Sequence, residues 1–367
     1  MSTNRDVYVV SAARTAIGTF GGTLKDTAPA DLATLAVKAA LERSGAAPDS
    51  VGHLAMGTVV LTEPRDVYLS RVAAMNAGLP KETPAFNVNR LCGSGLQAIV
   101  SAAQSILLGD CDVAVGAGCE VMSRGAYLVP SARFGARMGD SQMLDLMVGA
   151  LHDPFHKIHM GITAENVAEQ FGISRSMMDE LATESHRRAA AAIAAGRFKD
   201  QIVPVMIKTR KGDVAFDTDE HVKADTTMET LGKMRPAFKK DGSVTAGNAS
   251  GINDAASAVV LAAGDAVKAQ NLKPLARLVG YAHTGVEPTI MGIGPVSATR
   301  KVLAKVGLTV ADLDVIESNE AFAAQACAVV KELQLDPAKV NPNGSGISLG
   351  HPIGATGAII TTKAIYE

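Results

Sequence analysis

The chain has 367 residues, with Lys+Arg 35 against Asp+Glu 37 and a formal net charge of −2, so it carries no broad positive field for nucleic acid or an anionic membrane. Hydrophobic residues make up 47% and charged residues 20%, which excludes a disordered chain, and no apolar run approaches the ~18 residues of a membrane span. The length implies two or three domains, and the mass of 37.9 kDa scales to about 14,000 Å² of folded surface, enough to enclose sizeable cores.

The start, MSTNRDVYVV, enters a strand-like run at once and has no basic region followed by a signal-length apolar segment, so a cytoplasmic location is expected. DVYVVSAA (6 to 13) reads as a buried strand leading into a Gly-rich loop. From Ala30 to Ser44, Leu32, Leu35, Ala36, Ala39 and Ala40 fall at helical spacing, with Asp31 in the first turn and Gly45 past the end. VGHLAMGTVV, PRDVYLSRVAAMNAGL, PAFNVN, GSGLQAIVSAAQSILLGD and DVAVGAGCE then alternate strand and helix, predicting a largely parallel sheet covered by helices over residues 1 to about 119. From Glu120 to Asn248 the texture becomes polar, loop-rich and helical, an excursion from the sheet. ASAVVLAA and LARLVGYAH read as strands again, followed by VSATRKVLAKVGL, DLDVIESNE, AFAAQACAVVKEL and GATGAIITTKAIY. The two halves echo one another: FNVNRLCGSGLQAIV and VNPNGSGISLGHPIGATGAII each run from a strand through a Gly/Ser-rich bend into an apolar helix.

Cys92 stands at such a bend, before a helix apolar nearly all round and so expected at the centre of the protein. Unpaired N–H groups at a helix start lower a thiol's pKa, which suits a nucleophile; a buried structural cysteine has the same sequence context. His351 lies at the equivalent bend of the second half. If the halves face each other, Cys92 and His351 approach as an activated Cys–His pair, although a histidine beside proline also suits a structural turn. Asn319, in Ser318-Asn319-Glu320-Ala321-Phe322, follows a strand and is placed either to donate to an oxyanion or to cap the next helix. His152, His156 and His159 recur at i, i+4 and i+7, a spacing that tempts a metal site, but Pro154 interrupts the face and no further ligand is near, so no metal is expected. The Gly-rich segments lack the spacings of a nucleotide cradle. Cys92, Cys111, Cys119 and Cys327 form no Cys-x-x-Cys pair and are expected as free thiols.

NRLCGSGLQAI, TAGNASGINDAA, NEAFAAQA and NPNGSGISLGHPIGATGA, taken together and in this order, resemble the thiolase family, in particular biosynthetic acetyl-CoA acetyltransferases and β-ketothiolases. The resemblance runs from VVSAARTAIGTFGG to the last residues. It implies an α/β fold of duplicated βαβαβαββ halves, layered α-β-α-β-α, with an inserted loop domain. The boundaries it implies are 1–119 plus 249–271 for the N-terminal half, 120–248 for the loop domain and 272–367 for the C-terminal half. It further implies reversible Claisen condensation of two acyl-CoA molecules, as in polyhydroxyalkanoate or fatty acid metabolism. Cys92 would carry the acyl group as a thioester, His351 would accept its proton, and Asn319, through water, would form an oxyanion hole with His351. The Cys92 N–H would serve a second oxyanion hole. Coenzyme A would lie along Leu151, His159, Met160, Lys223, Phe238, Ala246, Ser250, Met291 and Phe322, with Lys223 where relatives often carry arginine. No cofactor beyond the CoA thioester substrates is implied, and a homotetramer, a dimer of dimers, is. The motifs ISLGHPIGATG and LHDPFHKIHMGITAENVAEQ look closest to β-ketothiolases that also take propionyl or slightly longer units.

One departure stands out. The family carries a second catalytic cysteine in a Cys-x-Gly motif near the C-terminus, and this sequence has no cysteine after Cys327, which reads as a C-terminal truncation that would impair condensation while leaving acyl transfer to Cys92. The departure opens two rival readings: a ketosynthase-like enzyme extending malonyl-thioesters, and a non-catalytic CoA- or lipid-binding relative.

Overall fold

Strand β1 (Val7–Arg14) is buried along nearly its whole length, as its run of β-branched and small residues requires of a strand covered on both faces. The computed structural model describes residues 5–367; residues 1–4, part of the start read for a signal segment, lie outside the described residues. The other main strands are β2 (Val51–Gly57), β3 (Ala85–Val88), β4 (Val113–Val121) and β5 (Asn253–Ala263). They form one sheet in the order β1-β5-β4-β2-β3, and a two-residue strand, Ala276–Arg277, lies outside β1.

Within residues 1 to about 119 the paired strands are parallel, as expected, and the later strand β5 makes the whole sheet mixed. β2 runs parallel to β3 and to β4, but β5 lies antiparallel between β1 and β4. A parallel insertion would need a right-handed crossover helix. Instead the chain returns from the excursion of residues 120–248 and enters the sheet from the opposite end, pairing Asp254 with Val121 and Ala262 with Val113.

Helices cover both faces. Cys119 Sγ reaches the carbonyl of Pro29, the first residue of α1 (Pro29–Ser44), whereas a Cβ on its neighbour Gly118 would strike the backbone of Gly354 and Ala355. Because alternate residues of a strand face opposite sides, α1 with α2 (Leu69–Asn76) covers one face. The other is covered by α3 (Ser94–Leu108) and the last helix, Ile353–Tyr366. The stretch Leu91–Leu108 is, by length and composition alone, apolar enough to cross a membrane, contrary to the expectation that no run reaches that length. It serves here as a sheet-covering helix. It is not buried all round: Leu96 and Leu108 are exposed, while Ala98, Ala102 and Ile106 lie in the core.

The excursion contains α4 (Met160–Phe171), α5 (Arg175–Ala194) and two short antiparallel ribbons. Beyond β5 come α6 (Gly294–Val306), α7 (Ala323–Leu333) and α8 (Ile353–Tyr366). Here the expectation of further strands is only partly met. Of LARLVGYAH only Ala276–Arg277 pairs, against β1, and DLDVIES contributes a single bridge, Ile316 to Val340. The Ile316 N–H donates to the Lys339 carbonyl (2.9 Å) and the Asn341 N–H to the Ile316 carbonyl (2.8 Å), the beginning of a parallel ladder that propagates no further among the described residues.

Candidate active site

α3 and α8 cross at backbone contact. A Cβ on Gly357 would lie 2.1 Å from the Leu96 nitrogen, and one on Gly95 would lie 2.7 Å from the Ala358 nitrogen. Any side chain there would hold the helices apart; with glycine on both, their N-terminal ends converge. Those ends are the two bends singled out in the sequence.

At the first bend the chain passes from β3 through Asn89 to Ser94 in a turn that needs Leu91 at φ +47. Ser94 Oγ closes it, accepting from the Arg90 N–H (2.8 Å) and donating to the Leu91 carbonyl (2.7 Å). Cys92 is half-buried and packs against the buried cluster of Val60, Met122, Met147 and Ile353, on which Val59, Leu151 and Ile252 also pack. Burial pushes its thiol up to about 11, its own backbone N–H opposes that, and the buried Glu120 carboxylate pushes it up further. The expected lowering at a helix start is therefore outweighed in the free protein, because Cys92 precedes the cap residue Gly93 and sits among apolar side chains.

At the second bend Gly350 has φ +111, and a Cβ there would fall within 2.5–2.7 Å of the Asn253 amide. That close approach lets Asn253 Oδ1 accept the His351 backbone N–H (2.9 Å). His351 is buried and its imidazole is pushed down to about 4 by burial, so it is neutral at ordinary pH. Its Nδ1 lies 2.7 Å from Thr356 Oγ1. The Asn319 amide nitrogen lies 3.3 Å from Nδ1 and 3.5 Å from Nε2, while Asn319 Oδ1 is buried with no partner. Asn319 does not cap α7: the cap is Phe322, whose N–H donates to Gln325 Oε1 (3.2 Å).

The bends therefore share one apolar cluster: Cys92 packs against the group of Val60, Met122, Met147 and Ile353, the last of which lies two residues beyond His351. No hydrogen bond joins the thiol to the imidazole among the described residues, and such contacts tighten when substrate is bound. Glu120, at the end of β4, ties the arrangement together by accepting the Val59, Val60 and Gly354 N–H groups at 3.1, 3.0 and 2.8 Å. Sequence reasoning passed over it, although a carboxylate closing an otherwise apolar strand was the available signal. Asn253 and Thr356 were missed as well.

The residues expected along coenzyme A mostly share one rim. The His159 ring stacks on Phe238 at 4.8 Å, and Phe238 meets Phe322 edge-on at 6.0 Å. The Met160 N–H donates to the Leu151 carbonyl (2.8 Å), and the Ser250 N–H to the Ala321 carbonyl (2.9 Å). Ala246 lies in the turn closed by the Thr245 N–H on Asn248 Oδ1 (2.8 Å). Met291 belongs to the short turn Pro288–Ile293, whose Ile290 and Ile293 pack in the cluster of Phe238 and Phe322. Lys223 lines a separate cavity of about 380 Å³ that reaches Ile252 beside the Cys92 patch. The histidine triplet is not on one helical face: His152 Nδ1 donates to the Val148 carbonyl (2.8 Å), His156 faces Glu287 (3.5 Å), and His159 Nδ1 accepts the Gly161 N–H (3.0 Å) at the start of α4.

Comparison with known proteins agrees with this geometry. The model of the thiolase N-terminal domain matches residues 7–265 and that of the thiolase C-terminal domain residues 272–367. The chain is 67% identical over 364 residues to the beta-ketothiolase BktB of Cupriavidus necator, spanning 99% of this chain and 92% of that protein. It is 52% identical to an acetyl-CoA acetyltransferase of Chromobacterium violaceum, over 99% of this chain and 93% of that one. Among solved structures, the Bacillus anthracis acetyl-CoA acetyltransferase superposes with a TM-score of 0.97 at 47% identity, covering 100% of this chain and 93% of the other. Human mitochondrial 3-ketoacyl-CoA thiolase in complex with CoA gives 0.96 at 45% identity, covering 100% and 92%. On both domain models and on identity along nearly its whole length, the chain belongs to the thiolase family.

Proposed function

We propose that this protein is an acyl-CoA C-acyltransferase of the β-ketothiolase kind, catalysing the reversible Claisen condensation of two acyl-CoA molecules by a ping-pong route through acyl-Cys92. The observation that carries the reading is the glycine crossing of α3 and α8, which brings the Cys92 bend against the bend that holds His351 beside Asn319. Its relatives are named beta-ketothiolase and acetyl-CoA acetyltransferase, which favours this reading over a malonyl-extending enzyme or a non-catalytic binder.

In the acylation step Cys92 Sγ attacks the thioester carbonyl of acyl-CoA and its proton passes to His351; the C–S bond to CoA then breaks, and the His351 imidazolium returns that proton to the leaving sulfur, so that CoA departs as the thiol. A neutral thiol beside a neutral imidazole means that the proton moves as attack proceeds rather than beforehand. The Asn319 amide, through water, and His351 would hold the developing thioester oxyanion, and the Cys92 N–H a second one. The pantetheine arm and nucleotide would run along Leu151, His159, Met160, Phe238, Ala246, Ser250, Met291 and Phe322, with Lys223 meeting a phosphate. Cys327, in α7, donates its Sγ–H to the Met177 carbonyl of α5 at 3.6 Å, which gives it a structural partner. The expected preference extends to propionyl units, the expected location is the cytoplasm, and the assembly is a homotetramer.

Thiolysis of acetoacetyl-CoA, followed with wild type and Cys92→Ser, tests the nucleophile. The variant should fold with an unchanged melting temperature and lose activity by at least about 10³-fold; retained thiolysis would overturn the assignment.

A further inference from the structure

Thr356 is the fourth residue of α8, and helix geometry turns its hydroxyl back toward the start of the helix. Oγ1 lies 2.9 Å from the Pro352 carbonyl and 2.7 Å from His351 Nδ1. A hydroxyl has one proton. Given to the Pro352 carbonyl, it leaves Oγ1 as an acceptor, and Nδ1 must then be the protonated nitrogen. The Asn319 amide nitrogen lies 3.3 Å from Nδ1 and 3.5 Å from Nε2, so it faces the ring between the two nitrogens and does not choose between the tautomers; the choice rests on the hydroxyl.

From these contacts we infer that Thr356 is a positioning residue for the acyl transfer: by accepting the Nδ1–H of His351 it fixes the neutral tautomer whose Nε2 is free to receive the Cys92 proton, and it steadies the imidazolium once that proton has arrived. The neighbours that meet the His351 ring and backbone, Thr356, Asn319 and Asn253, are uncharged, so a neutral hydroxyl does the orienting that a carboxylate performs in other nucleophile–histidine pairs. A threonine suits the site because its branched Cβ restricts χ1 and holds Oγ1 over the turn. The inference rests on the reading of His351 as the proton acceptor.

The test compares wild type, Thr356→Val, Thr356→Ser and His351→Ala in two measurements: single-turnover acetylation of Cys92 by acetyl-CoA, and alkylation of Cys92 by iodoacetamide across pH. Valine keeps the shape and removes the acceptor; serine keeps the acceptor. Expected is a fall of about 10- to 100-fold in the acetylation rate for Thr356→Val, the range produced by removing an orienting partner, with the acetyl-CoA concentration at half-saturation within about two-fold of wild type. Thr356→Ser should recover to within about three-fold, and the alkylation profile of Thr356→Val should move toward that of His351→Ala. Equal losses in the valine and serine variants, or a valine variant that matches wild type while His351→Ala is impaired, would overturn the role of Thr356 alone. A His351→Ala variant that acetylates and alkylates like wild type would instead overturn the reading of His351 on which it rests. If Thr356→Val does not fold, the serine variant decides: full activity supports the hydroxyl as acceptor and a large loss contradicts it.

Discussion

Cys92 and His351 are both held neutral chiefly by one cause, burial: the thiol against the apolar cluster of Val60, Met122, Met147 and Ile353, and the imidazole within the second bend. Desolvation disfavours whichever form is charged, so it raises a thiol and lowers an imidazole. Alkylation of the free protein at Cys92 should therefore keep increasing above about pH 9 rather than level off near neutrality; a plateau below about pH 8 would show a preformed thiolate–imidazolium pair. The same imidazole bears on stability. The unfolded chain protonates His351 near pH 6.5 and the folded chain only near about 4, so between these values the unfolded state holds more protons. Stability is complete above pH 6.5 and falls as pH drops toward 4. His186 and His221, each also lowered to about 4 mainly by burial, add the same sign. Glu120, raised to about 8, and Asp254, raised to about 6, act oppositely, losing stability as pH rises through their window. Glu317 and Glu320, also raised by burial, act with Glu120, so the histidine contribution is read by difference: between pH 6.5 and 4.5 the wild type should lose more melting temperature than a variant with His186→Gln and His221→Gln, and an equal loss would contradict the buried, neutral state of these histidines.

At the scale of elements, what brings chemistry together is the absence of side chains at the α3–α8 crossing. Gly357→Ala would place a Cβ 2.1 Å from the Leu96 nitrogen, backbone that has no rotamer to yield. Overpacking of this kind costs about 1–3 kcal/mol, and here it also separates the two bends. Denaturant titration should show that loss together with a drop in acyl transfer larger than the stability change explains; a variant with wild-type activity would show that the bends are positioned otherwise. The glycines were legible in GSGLQAIV and GATGAII as bends entering apolar helices, and the order of strand and helix through β4 was legible from hydrophobic spacing alone. The direction of β5 was not, since Ala255 to Ala263 reads identically in either orientation and only the route of the chain before it decides. Nor was the thinness of pairing around Ile316, where alternation predicts a strand but a ladder also needs a neighbour. Thr356, Glu120 and Asn253 escaped notice because each acts on a partner 5 to 234 positions away, His351 or Gly354, that local spacing does not connect.

For the whole molecule, the accessible surface of 17284 Å² exceeds the roughly 14,000 Å² expected of a monomer of this mass. Six exposed large apolar side chains fall in one segment of the excursion, where Phe134 is 90% and Met138 98% exposed and Tyr127, Leu128, Met143 and Leu144 join them. Apolar patches of that kind mark association surfaces. Sedimentation should give a mass of several chains for wild type, and Phe134→Ser with Met138→Ser should reduce the assembly while leaving the fold intact. A monomeric wild type would contradict the proposed tetramer.

The central claim is that the two bends assemble one acyl-transfer site on Cys92, and intact-mass measurement of the protein before and after acetyl-CoA tests it most directly. One acetyl group per chain is expected, mapped to Cys92, absent in Cys92→Ser and removed by added CoA. No acetyl group, or one on another residue, would contradict it.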